Sequence, residues 1–131
     1  NIVTVELAPS FVKKPLDVFK LHKELGTQKL FAEWFAGKLP DDLVGQPKEV
    51  AQTMISCLAE TLKAGPESHI DIAVSHDWNL YMIKHHFLNL DLESSTVVEY
   101  MEGIIIYEQD DVLYIINHET DSLKINTADI N

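Results

Sequence analysis

Ile70-Asp71-Ile72-Ala73-Val74-Ser75-His76-Asp77-Trp78-Asn79-Leu80 is the stretch on which the fold class turns. Its first five residues are nearly continuous in apolar character apart from Asp71, the pattern of a short strand, Ile70 to Val74, buried on both faces as in a parallel sheet. A helix from about Trp78 to Leu88 follows directly. Strand, tight junction and helix make the βα unit whose carboxyl edge carries the ligand site in open α/β sheets. The expectation is an α/β chain built around a mostly parallel sheet.

Working outward, the most strongly patterned segment is Pro47 to Ala64. There Val50, Ala51, Met54, Ile55, Leu58, Ala59 and Leu62 recur at four-and-one spacing and draw one stripe along a helix that Gly65-Pro66 ends. Upstream, a helix is expected from about Pro15 to Leu25, with Pro near its first turn and Gly26 as its stop. A second runs from about Gln28 to Lys38, with Thr27 as N-cap and Gly37 near its end. Residues Ile2 to Glu6 alternate β-branched and polar side chains as a short strand does, closed by the Ala8-Pro9-Ser10 turn signal. Leu39 to Gln46 reads as a loop. Downstream, Gly103 to Glu108 and Val112 to Asn117 are β-rich runs joined at Gln109-Asp110-Asp111, a hairpin signal. The tail from Glu119 to Asn131 is expected to be extended or partly ordered. No repeat or linker divides the chain, and 131 residues with 46% hydrophobic content suit one domain.

Composition narrows the partners. A formal charge of −11 argues against nucleic acid and against an anionic membrane surface. No apolar run approaches the roughly 18 residues of a membrane span, and no charged-then-apolar signal pattern opens the chain, so the sequence assigns no compartment. The single cysteine, Cys57, falls among apolar residues at helical spacing and reads as a buried small hydrophobe. All ten basic residues are Lys. Bidentate recognition of phosphate or carboxylate usually uses Arg, so a phosphate site here must use Lys, His and backbone amides, or borrow its Arg from elsewhere.

Ser75-His76-Asp77-Trp78-Asn79 is the candidate for chemistry. A His where a strand ends and a helix begins points an imidazole into the crevice above the sheet, beside amides whose partial positive charge favours a phosphate. An Asp beside that phosphate is held partly protonated by the anion's charge, as a general acid for a leaving alkoxide must be. The bland alternative makes Asp77 the N-cap of the helix and His76 a satisfied loop residue. Trp78 suits a substrate-pocket wall and a helix-start anchor equally.

Residues 70 to 80, together with Val98-Glu99-Tyr100-Met101-Glu102-Gly103-Ile104, resemble the C-terminal His-Asp segment and closing strands of the histidine phosphatase superfamily, which includes acid phosphatases, phytases and phosphoglycerate mutases. The resemblance covers roughly residues 28 to 117 and is best over 70 to 107. It implies a three-layer sandwich around the sheet and a cradle in which a nucleophilic His of an Arg-His-Gly motif is phosphorylated while Arg side chains grip the oxygens. His76 corresponds to the second His of that cradle. In the acid-phosphatase branch the following Asp, here Asp77, protonates the leaving group. Ser75, Trp78 and Asn79 are the accompanying candidates for substrate binding, and the chemistry implies no cofactor.

This sequence contains neither Arg-His-Gly nor any Arg, and in the family those parts lie N-terminal to where this chain starts, at Asn1 rather than Met. The expectation is therefore a C-terminal fragment of a longer phosphomonoester hydrolase, inactive alone, that pairs with a companion N-terminal fragment or with itself because a sheet edge is left open. The rival is a non-catalytic binding or regulatory domain that kept the fold and lost the cradle.

Other residues read as structure. His85 and His86 are adjacent on a helix, so their side chains diverge by about 100° and cannot easily share one metal. Leu30, Phe31, Trp34 and Phe35 form a helix packing face, and no zinc motif is present. Asp41-Asp42 and Asp110-Asp111 are solvated turns without the alternating oxygen pattern of a calcium loop.

Overall fold

The computed structural model describes residues 5–90, 98–126, 128 and 130. Four helices, α1 (Pro15–Leu25), α2 (Thr27–Phe35), α3 (Pro47–Ala64) and α4 (Asp77–Phe87), precede three strands, β1 (Ile105–Gln109), β2 (Val112–Ile116) and β3 (Leu123–Lys124).

The stripe on α3 does what its spacing predicts. Ala51, Met54, Ile55 and Ala59 are sealed from solvent, and α3 packs along α4. Cys57 sits off that stripe and is only half-buried, which corrects the expectation of a buried small hydrophobe. Pro15 and Pro47 occupy first-turn positions, where a missing N–H costs nothing. A single residue, Gly26, joins α1 to α2. Its φ of +76° lies in the left-handed region, so the chain reverses there without a steric penalty, and its N–H closes α1 on the carbonyl of His22. Thr27 is the first residue of α2 rather than its cap, and its hydroxyl bonds Nε2 of His22 at 2.8 Å.

The face predicted for α2 is buried as expected. Trp34 stacks on Phe11 with ring centroids 5.3 Å apart, and its indole N–H donates to the carbonyl of Gly45 at 2.8 Å. Phe31 touches both Trp34 and the rings of Trp78 and Tyr81 on α4, so one aromatic cluster joins α2 to the start of α4. The buried apolar residues of all the helices and of β2 form one continuous core.

The mixed α/β character expected from the sequence is present; the parallel three-layer arrangement is not. β1, β2 and β3 form an antiparallel sheet in that order, with Gln109 opposite Val112 and Ile115 opposite Leu123. Residues 70 to 74 form no regular element, and among the described residues no strand pairs with them. Ile70, Ile72 and Val74 are 89%, 89% and 90% exposed. The physical reason is that a strand is stable only when neighbours take up its N–H and C=O groups, and a parallel neighbour needs a crossover connection. No described segment supplies one. At the other expected strand, residues 1 to 4 lie outside the described residues, and Val5–Leu7 form a single 3-10 turn.

The hairpin is where the sequence placed it. Asp110 and Asp111 both have positive φ, 53° and 60°, the conformation of a type I′ turn, whose twist matches that of the flanking strands. β2 alternates half-buried and buried residues, sending Leu113 and Ile115 into the core. In the tail, Leu123–Lys124 pairs with β2 and Ile125 is buried.

Candidate functional site

The loop before α1 and the first turn of α4 meet at a cleft of about 330 Å³ lined by Pro9, Val12, Pro15, His76, Asp77 and Trp78. Each wall has a local cause. Val12 is held by an antiparallel bridge to Val44, and the neighbouring N–H of Gly45 donates to the carbonyl of Phe11 at 2.8 Å, so the loop is fixed against the turn before α3. Gly45 is needed there because a Cβ would press against Val50 and Phe11.

Opposite, His76 is the N-cap residue of α4, and its carbonyl accepts the N–H of Asn79 at 3.1 Å. Asp77 is the first helical residue. Its Oδ1 accepts the N–H of Trp78 at 2.9 Å, which satisfies one of the unpaired amides of the helix start and keeps the carboxyl at the cleft. His76 and Asp77 are exposed, while Trp78 is half-buried, with its ring edge-on to Phe31 at 5.1 Å. Trp78 therefore both anchors the helix start and walls the cleft.

Five residues were expected to act together, and the structure brings three of them, His76, Asp77 and Trp78, to one cleft. Ser75 and Asn79 serve a different end. The Ser75 hydroxyl donates to the carbonyl of Leu7 at 2.6 Å, and the Asn79 side-chain amide donates to the same oxygen at 3.2 Å. Asn79 is only 1% exposed and its amide also approaches the sulfur of Met54. These two residues fasten the turn at Val5–Leu7 to the helix start. Upstream of the junction, His69 bonds the carbonyl of Pro66 and lies 2.9 Å from Asp71. Its ring fills the space where a Cβ on Gly65 would stand. No family model matches this chain. No curated protein and no solved structure matches it either.

Sequence reasoning missed Pro9, Val12 and Pro15 as cleft walls. The only available signal was a proline on each side of an apolar residue just before a helix, which marks a turn rather than a site. It also missed a second polar cluster. Lys84 is 3% exposed, and its ammonium lies 2.6 Å from Glu102 and 2.8 Å from Glu119. Asn117 donates to Glu102 at 3.1 Å and to the carbonyl of Gly103 at 2.9 Å.

Ligand-capable atoms of Glu102, His118 and Glu119 lie within 4.8 Å of one another, a grouping able to hold a metal ion in principle. Lys84 already places a cation between the two carboxylates, so this cluster reads as an internal ion pair that binds α4 to the segment entering β1. Its bonds to Lys84, the Glu99 amide and Asn117 hold the Glu102 carboxyl below its ordinary value despite the opposing effect of burial. Bonds to the two carboxylates likewise raise Lys84 against the desolvation that would lower it.

Proposed function

We propose that this chain is the C-terminal part of a phosphomonoester hydrolase of the histidine-phosphatase type, acting through a phosphohistidine intermediate. The observation that carries the reading is the placement of His76 and Asp77 side by side on the wall of one cleft, at the first turn of α4. A helix start attracts anions, and an imidazole with a neighbouring carboxyl group is what phosphoryl transfer to and from a histidine requires.

In this reading the nucleophilic His and the Arg clamp come from an upstream half bearing Arg-His-Gly. Nitrogen of that His attacks phosphorus as the ester P–O bond breaks, and Asp77 gives its proton to the departing oxygen. Water then attacks the phosphohistidine, Asp77 takes up its proton, and inorganic phosphate leaves with the His restored. His76 contacts the phosphoryl oxygens throughout. The complete lack of Arg in this chain supports a division of the cradle between two segments.

In the longer polypeptide of this proposal, residues 70 to 74 would become a strand of a mostly parallel, three-layer sheet whose other strands come from the upstream half or from a second copy. Three β-branched side chains at about nine-tenths exposure, in a segment that leads straight into the cleft, support that reading.

One observation favours the alternative of a non-catalytic binding or regulatory domain: Asp77 caps the amide of Trp78, as an ordinary helix-start residue does. Leaving-group dependence separates the two. In the complete polypeptide, Asp77→Asn should slow hydrolysis of an alkyl phosphate at least tenfold more than that of p-nitrophenyl phosphate, whose leaving group needs little protonation. Equal effects on both substrates, or none, would remove Asp77 from the reaction.

A further inference from the structure

The cleft beside His76 and Asp77 is lined mostly by apolar surface. Its polar groups stand together at one end of α4, while the remaining walls are Pro9, Val12, Pro15 and the ring of Trp78. Two proline rings and a branched aliphatic side chain carry no side-chain donor or acceptor, the indole adds a single N–H donor, and flat rings stack well on such surfaces. A polyol lying against these walls would find few polar partners for its several hydroxyl groups, a loss that an aromatic ring does not incur.

Two of the apolar walls are braced from behind. Trp78 is braced edge-on by Phe31 and lies 5.9 Å from Trp34, and Val12 is bridged to Val44. A volume of about 330 Å³ is at the small end of ligand sites, enough for one ring and its phosphate rather than a large conjugate.

We infer that this cleft is a leaving-group subsite that takes the aromatic ring of an aryl phosphomonoester and discriminates against sugar and polyol phosphates, with Trp78 and Val12 as the specificity-determining residues. The inference rests on the phosphoryl reading of His76 and Asp77 for its phosphate end. Its ring-binding end stands on the walls alone, and this permits a test in which the two can fail separately.

The chain has two indoles, and that of Trp34 is buried and bonded to Gly45, so the indole N–H resonance of Trp78 is a private reporter of the cleft. Phenol titrated into the chain should shift the Trp78 resonance and leave that of Trp34 in place, with an affinity at least fivefold above that of glycerol. Val12→Thr, which keeps the side-chain shape, should weaken phenol about threefold. Trp78→Phe, read by the resonances of Val12 and His76, should keep ring binding within about threefold.

Glycerol shifting Trp78 as strongly as phenol, or phenol leaving it unmoved, overturns the subsite. If phenol fails while the complete polypeptide shows hydrolysis that requires His76, the subsite falls and the phosphoryl reading stands. If phenol binds while no His76-dependent hydrolysis is found, the aryl phosphomonoester assignment is overturned together with the phosphoryl reading, and only an aromatic-binding cleft is left.

Discussion

The ammonium of Lys84 lies 2.6 Å from Oε1 of Glu102, with both side chains almost fully removed from solvent. Lys84 belongs to α4, the helix that begins at the candidate site, and Glu102 to the segment entering β1. Their pairing therefore fixes the orientation of α4 relative to the sheet. Removing one partner leaves a buried charge without its counterpart, a change that typically costs about 3–5 kcal/mol. Lys84→Met should lower stability by that order in urea unfolding. The double variant Lys84→Met, Glu102→Leu should recover part of the loss, because no uncompensated carboxylate is then left at that position.

His86 gives the chain an acid-sensitive point. Burial, followed by the nearby charges of His85 and Lys48, lowers its pKa to about 4 from an ordinary 6.5. The folded state thus resists a proton that the unfolded chain accepts below pH 6.5. Stability conferred by neutral His86 is present above pH 6.5, falls away between 6.5 and about 4, and levels off below that, a total of about 3 kcal/mol. His86→Phe should flatten this slope in chemical unfolding measured from pH 7 to pH 4. An unchanged slope would place the acid sensitivity elsewhere.

The turn between β1 and β2 holds two aspartates in the left-handed region, where Asn-Gly is the preferred pair. Replacing Asp110-Asp111 by Asn-Gly should stabilise the chain by about 0.5–1 kcal/mol, seen as a rise in Tm with no change in the strand register.

At Ile72 the effect of substitution should depend on what else is present. Nothing among the described residues packs on this side chain, so Ile72→Lys should change the unfolding free energy of the isolated chain by no more than about 0.5 kcal/mol. It should also suppress concentration-dependent association in sedimentation. In the longer polypeptide that we propose, where Ile72 would be buried in a sheet, the same change should cost several times as much. A neutral outcome in both settings would mean that residues 70 to 74 are not a strand.

How far the sequence was legible follows from the range of the forces involved. α3 and the hairpin were readable because their causes are local: one apolar stripe with a Pro start and a Gly-Pro stop, and two β-rich runs around Asp110-Asp111. The strand expected at Ile70–Val74 also has a local pattern, but a strand is completed by partners distant in the chain, and no composition rule reveals whether they are there.

The site divides the same way. His76, Asp77 and Trp78 share the cleft because they are consecutive at a helix start, which the sequence shows, whereas Pro9, Val12 and Pro15 reach it only through tertiary packing. Ser75 and Asn79 look like site residues by adjacency, yet both turn to the carbonyl of Leu7, a partner that no spacing rule could have named. Lys84 and Glu102 are ordinary charges in the sequence and become a buried pair only when α4 meets the segment before β1.

Hydrolysis of an aryl phosphate by the proposed longer polypeptide, compared with the same polypeptide carrying His76→Ala, addresses the phosphatase proposal most directly. An imidazole that binds the phosphoryl oxygens in the transition state is worth about 10²–10³ in rate, so the variant should lose at least about 100-fold in kcat while remaining folded. Activity within twofold of the parent would contradict the account.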